Sequence, residues 1–233
     1  MSANLLRAIL LCGVSLSIVA CSGNSTSTGG SASTASSTDS GNADATAPAE
    51  RKEGSKFIES AFKLRSAGKV PESLIEIDKA VAADKNNYYA WQLRADINNV
   101  LNKNEDAVED MKKAVALKPN EPKLYYSKAR YEGQTRDFAS ALEDAKQAVQ
   151  LDPKNMDYLY MRASGYAIAQ EYKKAIADAS AVISADPKNM AAYRLRAVCY
   201  LKTGDKKRSA ADDKTYQRLS ASSAKVIPVN GMQ

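Results

Sequence analysis

Few side chains in this sequence could act as nucleophiles, general bases or metal ligands. The 233 residues include no histidine and three cysteines, Cys12, Cys21 and Cys199. Without histidine the chain lacks the usual general base near neutral pH and the commonest nitrogen ligand for metals, and a Ser-His-Asp triad is impossible. It also contains no GxGxxG segment, no P-loop and no CxxC pair. We therefore expect no catalytic residue, no metal site and no cofactor.

Cys21 is the cysteine with a defined chemical context. Arg7 precedes an uncharged run from Ala8 to Ala20. This run is shorter than the about 20 residues that span a bilayer, but it has the length of the apolar part of an export signal. Its end, "IVAC" (18–21), resembles the bacterial lipobox. That resemblance implies a signal peptide over 1–20, cleavage before Cys21, and attachment of diacylglycerol and palmitate-type acyl chains there. The alternatives are an ordinary cleaved signal and an uncleaved anchor.

The residues after Cys21 predict a tether at a membrane. Ser22 follows the cysteine in place of Asp, which by the same resemblance favours the outer membrane of a bacterial cell envelope, facing the periplasm. From Ser22 to Ala49 there is no large apolar residue, so nothing offsets the entropy of ordering. We expect a disordered linker over 21–53 with a span of about 30 Å. Glycosylation of its Ser and Thr residues is an alternative to a plain spacer.

A repeat of 34 residues organises the rest of the chain. The pentapeptide "DPKNM" occurs at 152–156 and again at 186–190. Five units each carry a large residue followed four residues later by alanine: Phe57 and Ala61, Trp91 and Ala95, Tyr125 and Ala129, Leu159 and Ala163, Tyr193 and Ala197. These features resemble the tetratricopeptide repeat (TPR). The resemblance implies an all-α protein, a right-handed α-solenoid of about five helix-turn-helix hairpins, in which "DPKNM" separates one hairpin from the next.

The repeat phase gives the predicted boundaries. The solenoid spans 54–221, with units 54–87, 88–121, 122–155, 156–189 and 190–221, and each unit has a first and a second helix. The second helix of the last unit is more polar than the others, as a terminal cap should be. We expect 222–233 to be a flexible tail. The alternative is that Val226, Ile227 and Val229 add a strand to a partner or fold back onto the solenoid.

A charged pattern follows the same period. Position seven of the units is Ser60, Arg94, Lys128, Arg162 and Arg196, and position twenty-three is Glu76, Asp110, Asp144, Asp178 and Asp212. In an antiparallel hairpin these two positions lie opposite each other. We predict ion pairs between the two helices of a unit, and the alternative is a charged track for a ligand.

The TPR resemblance also implies a binding surface. In that family the first helices build a concave wall that takes a peptide, through positions two, five, nine and twelve. Here these are Tyr89, Gln92, Asp96, Asn99, Lys123, Tyr126, Arg130, Gly133, Asp157, Tyr160, Ser164, Ala167, Ala191, Arg194, Val198 and Leu201. Tyrosine and arginine are enriched among binding anchors, so the predicted partner-binding residues are Tyr89, Gln92, Lys123, Tyr126, Arg130, Tyr160 and Arg194. The alternative is that the tyrosines pack between repeats.

The other conspicuous residues indicate packing or solvation. We expect Trp91 to lie in the core and Cys199 to be a buried, unreactive thiol. The run Lys206-Lys207-Arg208 is expected to be a solvated helix end, and we predict no nucleic-acid partner, since the net charge of +6 is mild. The sequence thus predicts a lipid-anchored adaptor that binds a protein or peptide and scaffolds an envelope complex. A self-assembling structural lipoprotein, or an enzyme of unrecognised type, is the alternative.

Overall fold

The computed structural model describes residues 48–224, and the side chains of residues 53–222. This range forms ten α-helices and contains no strand. The helices are α1 (Pro48–Ser66), α2 (Val70–Ala83), α3 (Tyr88–Val100), α4 (Asn104–Leu117), α5 (Pro122–Gln134), α6 (Phe138–Leu151), α7 (Met156–Ile168), α8 (Tyr172–Ala185), α9 (Met190–Lys202) and α10 (Lys206–Ala224). The predicted signal peptide, Cys21, the linker up to residue 47 and the tail from residue 225 lie outside the described residues.

Consecutive helices pair into five hairpins that stack along the chain. The two helices of each hairpin pack most extensively on each other, and each second helix also packs on the first helix of the next hairpin. The first helices α3, α5, α7 and α9 begin at Tyr88, Pro122, Met156 and Met190. The predicted all-α solenoid is therefore confirmed.

The two ends differ from the predicted boundaries. Helix α1 begins at Pro48, within the residues assigned to the linker and before Gly54, where the first unit was placed. Proline suits the first turn of a helix because its φ is already helical and its missing N–H would have no partner there. The residues that follow, "AERKE", are mostly strong helix formers. At the other end α10 continues to Ala224, past residue 221.

Each hairpin turns at a residue with left-handed backbone geometry. Position fifteen of every unit has a positive φ: Gly68 (76°), Asn102 (59°), Arg136 (67°), Gln170 (63°) and Gly204 (87°). The N–H of the next residue then donates to a carbonyl at the end of the first helix, as from Glu171 to Tyr166 (2.8 Å). This bond is the helix-ending arrangement that glycine favours. Two units use Arg136 and Gln170 there, at a steric cost.

The repeated pentapeptide ends one hairpin and starts the next. The Asp186 carboxylate accepts from the N–H of Lys188 at 2.9 Å, and Asn189 Oδ1 accepts from the N–H of Ala192 at 3.0 Å. An asparagine in this position caps the first turn of the following helix. Asn155 caps α7 in the same way. The alanines at position eight of all five units are buried, which lets neighbouring helices approach closely.

Candidate partner-binding surface

The five first helices, α1, α3, α5, α7 and α9, form a continuous surface that we call the first-helix wall. Asp96 of α3 accepts a hydrogen bond from the Tyr131 hydroxyl of α5. The rings of Tyr126 in α5 and Tyr158 in α7 lie 5.2 Å apart between centroids. Helices α1 and α3, and α7 and α9, are also in contact. Because the first helices approach one another directly, they line the concave side of the stack.

Exposed apolar side chains lie on the N-terminal part of this wall. Tyr89, one of the predicted binding residues, exposes 44% of its surface, and Phe62 of α1 exposes 49%. Phe62 occupies position nine of the first unit and was missed because binding positions were assigned only from the second unit onwards. The same position rule, extended by one unit, finds it. Lys123, also predicted to bind, is exposed on α5.

Three other predicted binding residues are largely packed. Gln92 is only 9% exposed and offers a partner little surface. Tyr126 and Tyr160 are partly buried against an apolar cluster formed by Ala148, Val149, Tyr158, Leu159, Val182, Ile183 and Ala192. Burial raises the pKa of both tyrosines. Both rings therefore contribute to packing between neighbouring units, and their role in partner binding stays a prediction.

Arg130 and Arg194 are oriented by tyrosines. Arg130 Nη2 donates to the Tyr131 hydroxyl at 3.1 Å, and the guanidinium lies 5.0 Å from the ring centroid. Arg194 Nη1 donates to the Tyr216 hydroxyl at 3.1 Å and lies 5.4 Å from that ring. Arg194 is exposed and Arg130 is partly exposed. The wall thus presents two guanidinium groups whose positions are fixed by aromatic contacts.

The predicted ion pairs between helices are confirmed in four units. Arg162 Nε and Nη2 each lie 2.8 Å from an Asp178 oxygen, a two-bond geometry that Arg94 and Arg196 repeat with their aspartates. Lys128 Nζ lies 2.7 Å from Asp144. The four aspartates are 8% exposed or less, so the alternative of a ligand track is wrong for them. In the first unit position seven is a serine, and Glu76 pairs with Lys79 of its own helix.

The third unit has an additional buried carboxyl group. Glu132 of α5 is 3% exposed, and its Oε1 lies 3.2 Å from Lys128 Nζ, which also serves Asp144. Glu132 Oε2 has no hydrogen-bond partner. Burial and the neighbouring Asp144 carboxylate raise the pKa of Glu132 to about 7. Burial alone would lower the pKa of Lys128, but its two carboxylate contacts raise it overall. One lysine therefore serves two buried acids.

Two cavities lie beside this group. One of about 610 Å³ is lined by Lys128 and Asp144 together with residues of α6 and the turn after α7. The other, of about 220 Å³, is lined by Glu132 and by acidic residues of α4, Glu105 and Glu109 among them. Both cavities open to solvent beside the buried acids.

The predicted packing roles of Trp91 and Cys199 are confirmed. Trp91 packs against the apolar clusters of the first two hairpins, and its Nε1 donates to the Lys85 carbonyl at 2.8 Å. Cys199 is fully buried, and burial raises the pKa of its thiol to about 12. A thiol that stays protonated at neutral pH is a poor nucleophile.

Within residues 48–224, no group of three or more acidic or cysteine side chains is arranged to hold a metal ion. Among the helices of the same range, none combines the length and the apolar character needed to cross a bilayer.

A stack of helical hairpins with this period defines a repeat solenoid, and its sequence identifies the repeat. The tetratricopeptide repeat models match residues 88–121, 126–189 and 161–224, more than half of the chain. The chain belongs to the tetratricopeptide repeat family. No curated protein sequence matches it.

Several solved structures share the fold. MamA superposes with a TM-score of 0.69 at 20% identity, over 78% of this chain and 99% of MamA. YrrB, described as a TPR protein with an unusual peptide-binding site, has a TM-score of 0.67 at 19% identity, over 73% and 89% of the two chains. PilW, described as a widely conserved type IV pilus biogenesis factor, has a TM-score of 0.62 at 19% identity, over 72% and 78%.

Proposed function

We propose that this protein is a binding adaptor that holds a protein or peptide partner on its first-helix wall and scaffolds a complex of the bacterial cell envelope. The observation that carries the proposal is the wall itself, a continuous surface with exposed Phe62 and Tyr89 and with two oriented arginines. Cys199 is inert, and the buried acids Asp110, Glu132, Asp144, Asp178 and Asp212 are engaged with Lys128 or with arginines. The remaining buried acid, Asp84, accepts a hydrogen bond from the N–H of Asn86. Binding, rather than catalysis, is the function that these side chains can perform.

The descriptions of two of the similar structures support this proposal. YrrB is described as having a peptide-binding site, and PilW as a factor in pilus biogenesis. A peptide partner and an envelope process are therefore consistent with a chain of this fold for which an export signal and a lipobox are predicted.

A pair of variants tests whether the wall binds the partner. Phe62→Ala together with Tyr89→Ala removes two exposed apolar groups from the wall, and each loss should weaken capture of a crosslinked envelope partner by about 1 kcal/mol or more. The control is Ile75→Ala, because Ile75 is 58% exposed but lies on the second helix α2. Equal loss of partner from the control and the double variant, or no loss from either, would contradict binding at the wall.

The anchor is tested separately. Cys21→Ser should move the protein from the membrane fraction to the soluble one and abolish labelling by a fatty-acid analogue, because acyl chains supply about 0.8 kcal/mol per buried methylene. Cys12→Ser is the matched control and should change neither measurement, since the cleaved signal carries Cys12. Labelling that persists in Cys21→Ser would refute lipidation at this cysteine and, with it, the proposed outer-membrane location.

Self-assembly through the solenoid ends receives less support. At position twenty-seven the first four units carry the buried residues Ala80, Ala114, Ala148 and Val182, against which a following unit can pack. The last unit has Tyr216 at position twenty-seven and the charged Asp213 at position twenty-four. A polar end of this kind closes the stack, and sedimentation of the purified protein would detect any end-to-end association.

A further inference from the structure

Arg130 and Arg194 differ from Arg94, Arg162 and Arg196 of the first helices because no carboxylate in the part of the chain that the structure describes forms an ion pair with them. Arg94, Arg162 and Arg196 each bind a buried aspartate through two bonds. Among the described residues, no carboxylate lies within 4.0 Å of either Arg130 or Arg194. Their positive charge on the wall is therefore not compensated by a direct ion pair.

The environment of Arg130 keeps this charge in place. Its Nη2 bonds to Tyr131, a fully buried residue whose hydroxyl donates to Asp96. Asp96 thus reaches Arg130 only through the Tyr131 hydroxyl, and it also faces Arg65, whose Nη1 is 3.9 Å away. Arg130 Nε is buried and has no hydrogen-bond partner. The guanidinium is fixed by its neighbours but lacks the carboxylate that its counterparts have.

Arg194 is held in the same manner at the C-terminal end of the wall. Its partner Tyr216 belongs to α10, and the hydrogen bond and ring contact between them fix a side chain that is otherwise exposed. Guanidinium groups fixed in advance lose less entropy on binding a carboxylate, and Arg–carboxylate bonds are among the strongest hydrogen bonds in proteins. Two such groups on one surface favour an anionic partner.

We propose that the first-helix wall binds an extended acidic peptide segment whose carboxylates pair with Arg130 and Arg194. This inference rests on the proposed function and specifies the chemistry of its partner. Helices α5 and α9 are two units apart along the wall, and neighbouring first helices touch at only a few points. Each step is therefore somewhat more than the about 8–10 Å of closely packed helices, and the two arginines lie on the order of 20 Å apart. An extended chain advances about 3.3–3.6 Å per residue, so the two acidic residues of the peptide should lie about six residues apart.

Peptide selection tests this inference even while the natural partner is unidentified. The full-length protein, purified in detergent, is offered a random dodecapeptide library displayed on phage. Wild-type protein should enrich peptides with Asp or Glu at two positions about six residues apart. Arg130→Gln and Arg194→Gln should each lose one of the two acidic preferences. Arg218→Gln, which removes the same charge from an exposed position on α10 outside the wall, should leave both preferences intact.

Affinities of the best selected peptide then decide the outcome. Replacing the acidic residues of the peptide with Gln should weaken its binding to the wild-type protein at least tenfold. The same replacement should weaken its binding to the double variant Arg130→Gln, Arg194→Gln much less. Circular dichroism confirms that each variant is folded, and Arg194→Gln, an exposed substitution, keeps the test valid if Arg130→Gln is unstable. Selection of neutral or basic peptides, or equal loss in Arg218→Gln, would overturn the acidic partner. The proposed function would then be judged independently by the Phe62 and Tyr89 variants.

Discussion

The buried Glu132 predicts a dependence of stability on pH that can be worked out from its surroundings. Its carboxyl group shares Lys128 with Asp144, and its pKa is raised from 4.5 to about 7. At pH values between 4.5 and about 7, the folded protein therefore keeps a proton on Glu132 that the unfolded chain has already released. The contribution of this carboxyl group to the free energy of unfolding is fully present below about pH 4.5. It is lost as the pH rises to about 7, and for a single group the loss is up to about 3 kcal/mol.

Glu132→Gln removes this titration while keeping the shape of the side chain. Above about pH 7 Lys128 then faces one carboxylate, and the variant should be more stable than wild type by up to about 3 kcal/mol, whereas near pH 4.5 the two proteins should be similar. Urea unfolding followed by circular dichroism across this pH range measures the difference. The control is Glu143→Gln, because Glu143 is an exposed glutamate paired with Lys146. A constant difference between wild type and Glu132→Gln at all pH values would refute the reasoning.

Three further predictions concern packing and backbone. A double-mutant cycle on Arg162 and Asp178 should give a coupling free energy of unfolding of about 1–2 kcal/mol, above the usual value for exposed pairs, because the pair is mostly buried and makes two bonds; a value near zero would contradict this. Gln170→Gly should raise the free energy of unfolding by about 0.5–1 kcal/mol, since glycine adopts a positive φ without steric cost, and lower stability in this variant would be inconsistent with strain there. Tyr126→Ala with Tyr160→Ala should cost about 3 kcal/mol or more in thermal or urea unfolding, and an unchanged midpoint would favour binding over packing for both rings.

The sequence predicts what all units share, because a feature that recurs every 34 residues must satisfy the same neighbours in every hairpin. The ion pairs illustrate this, since opposite charges at positions seven and twenty-three meet wherever both are present. Contacts that occur in a single unit could not be predicted. The Glu132 carboxyl group meets Lys128 and Asp144 of its own unit, and the Tyr131 hydroxyl meets Arg130 beside it and Asp96 of the preceding unit. Glutamate at position eleven and tyrosine at position ten occur in no other unit, so the repeat pattern gives no sign of these contacts. The start of α1 was missed because the repeat phase does not constrain a helix end beyond the first unit.

The departures from the repeat are also where the proposed activity lies. At position twenty-seven a small residue lets the next first helix pack, and in the last unit Tyr216 takes its place. Because no hairpin follows within the described residues, the larger ring has room beside α9, and its hydroxyl bonds to Arg194. The substitution that closes the solenoid therefore also fixes one of the two arginines proposed to bind acidic side chains. Tyr131 has the equivalent role for Arg130 in the middle of the wall. On this proposal, binding specificity would come from Tyr131 and Tyr216, which lie beside Arg130 and Arg194 and have no tyrosine counterpart at the same positions of the other units, while the repeated residues hold the hairpins in register.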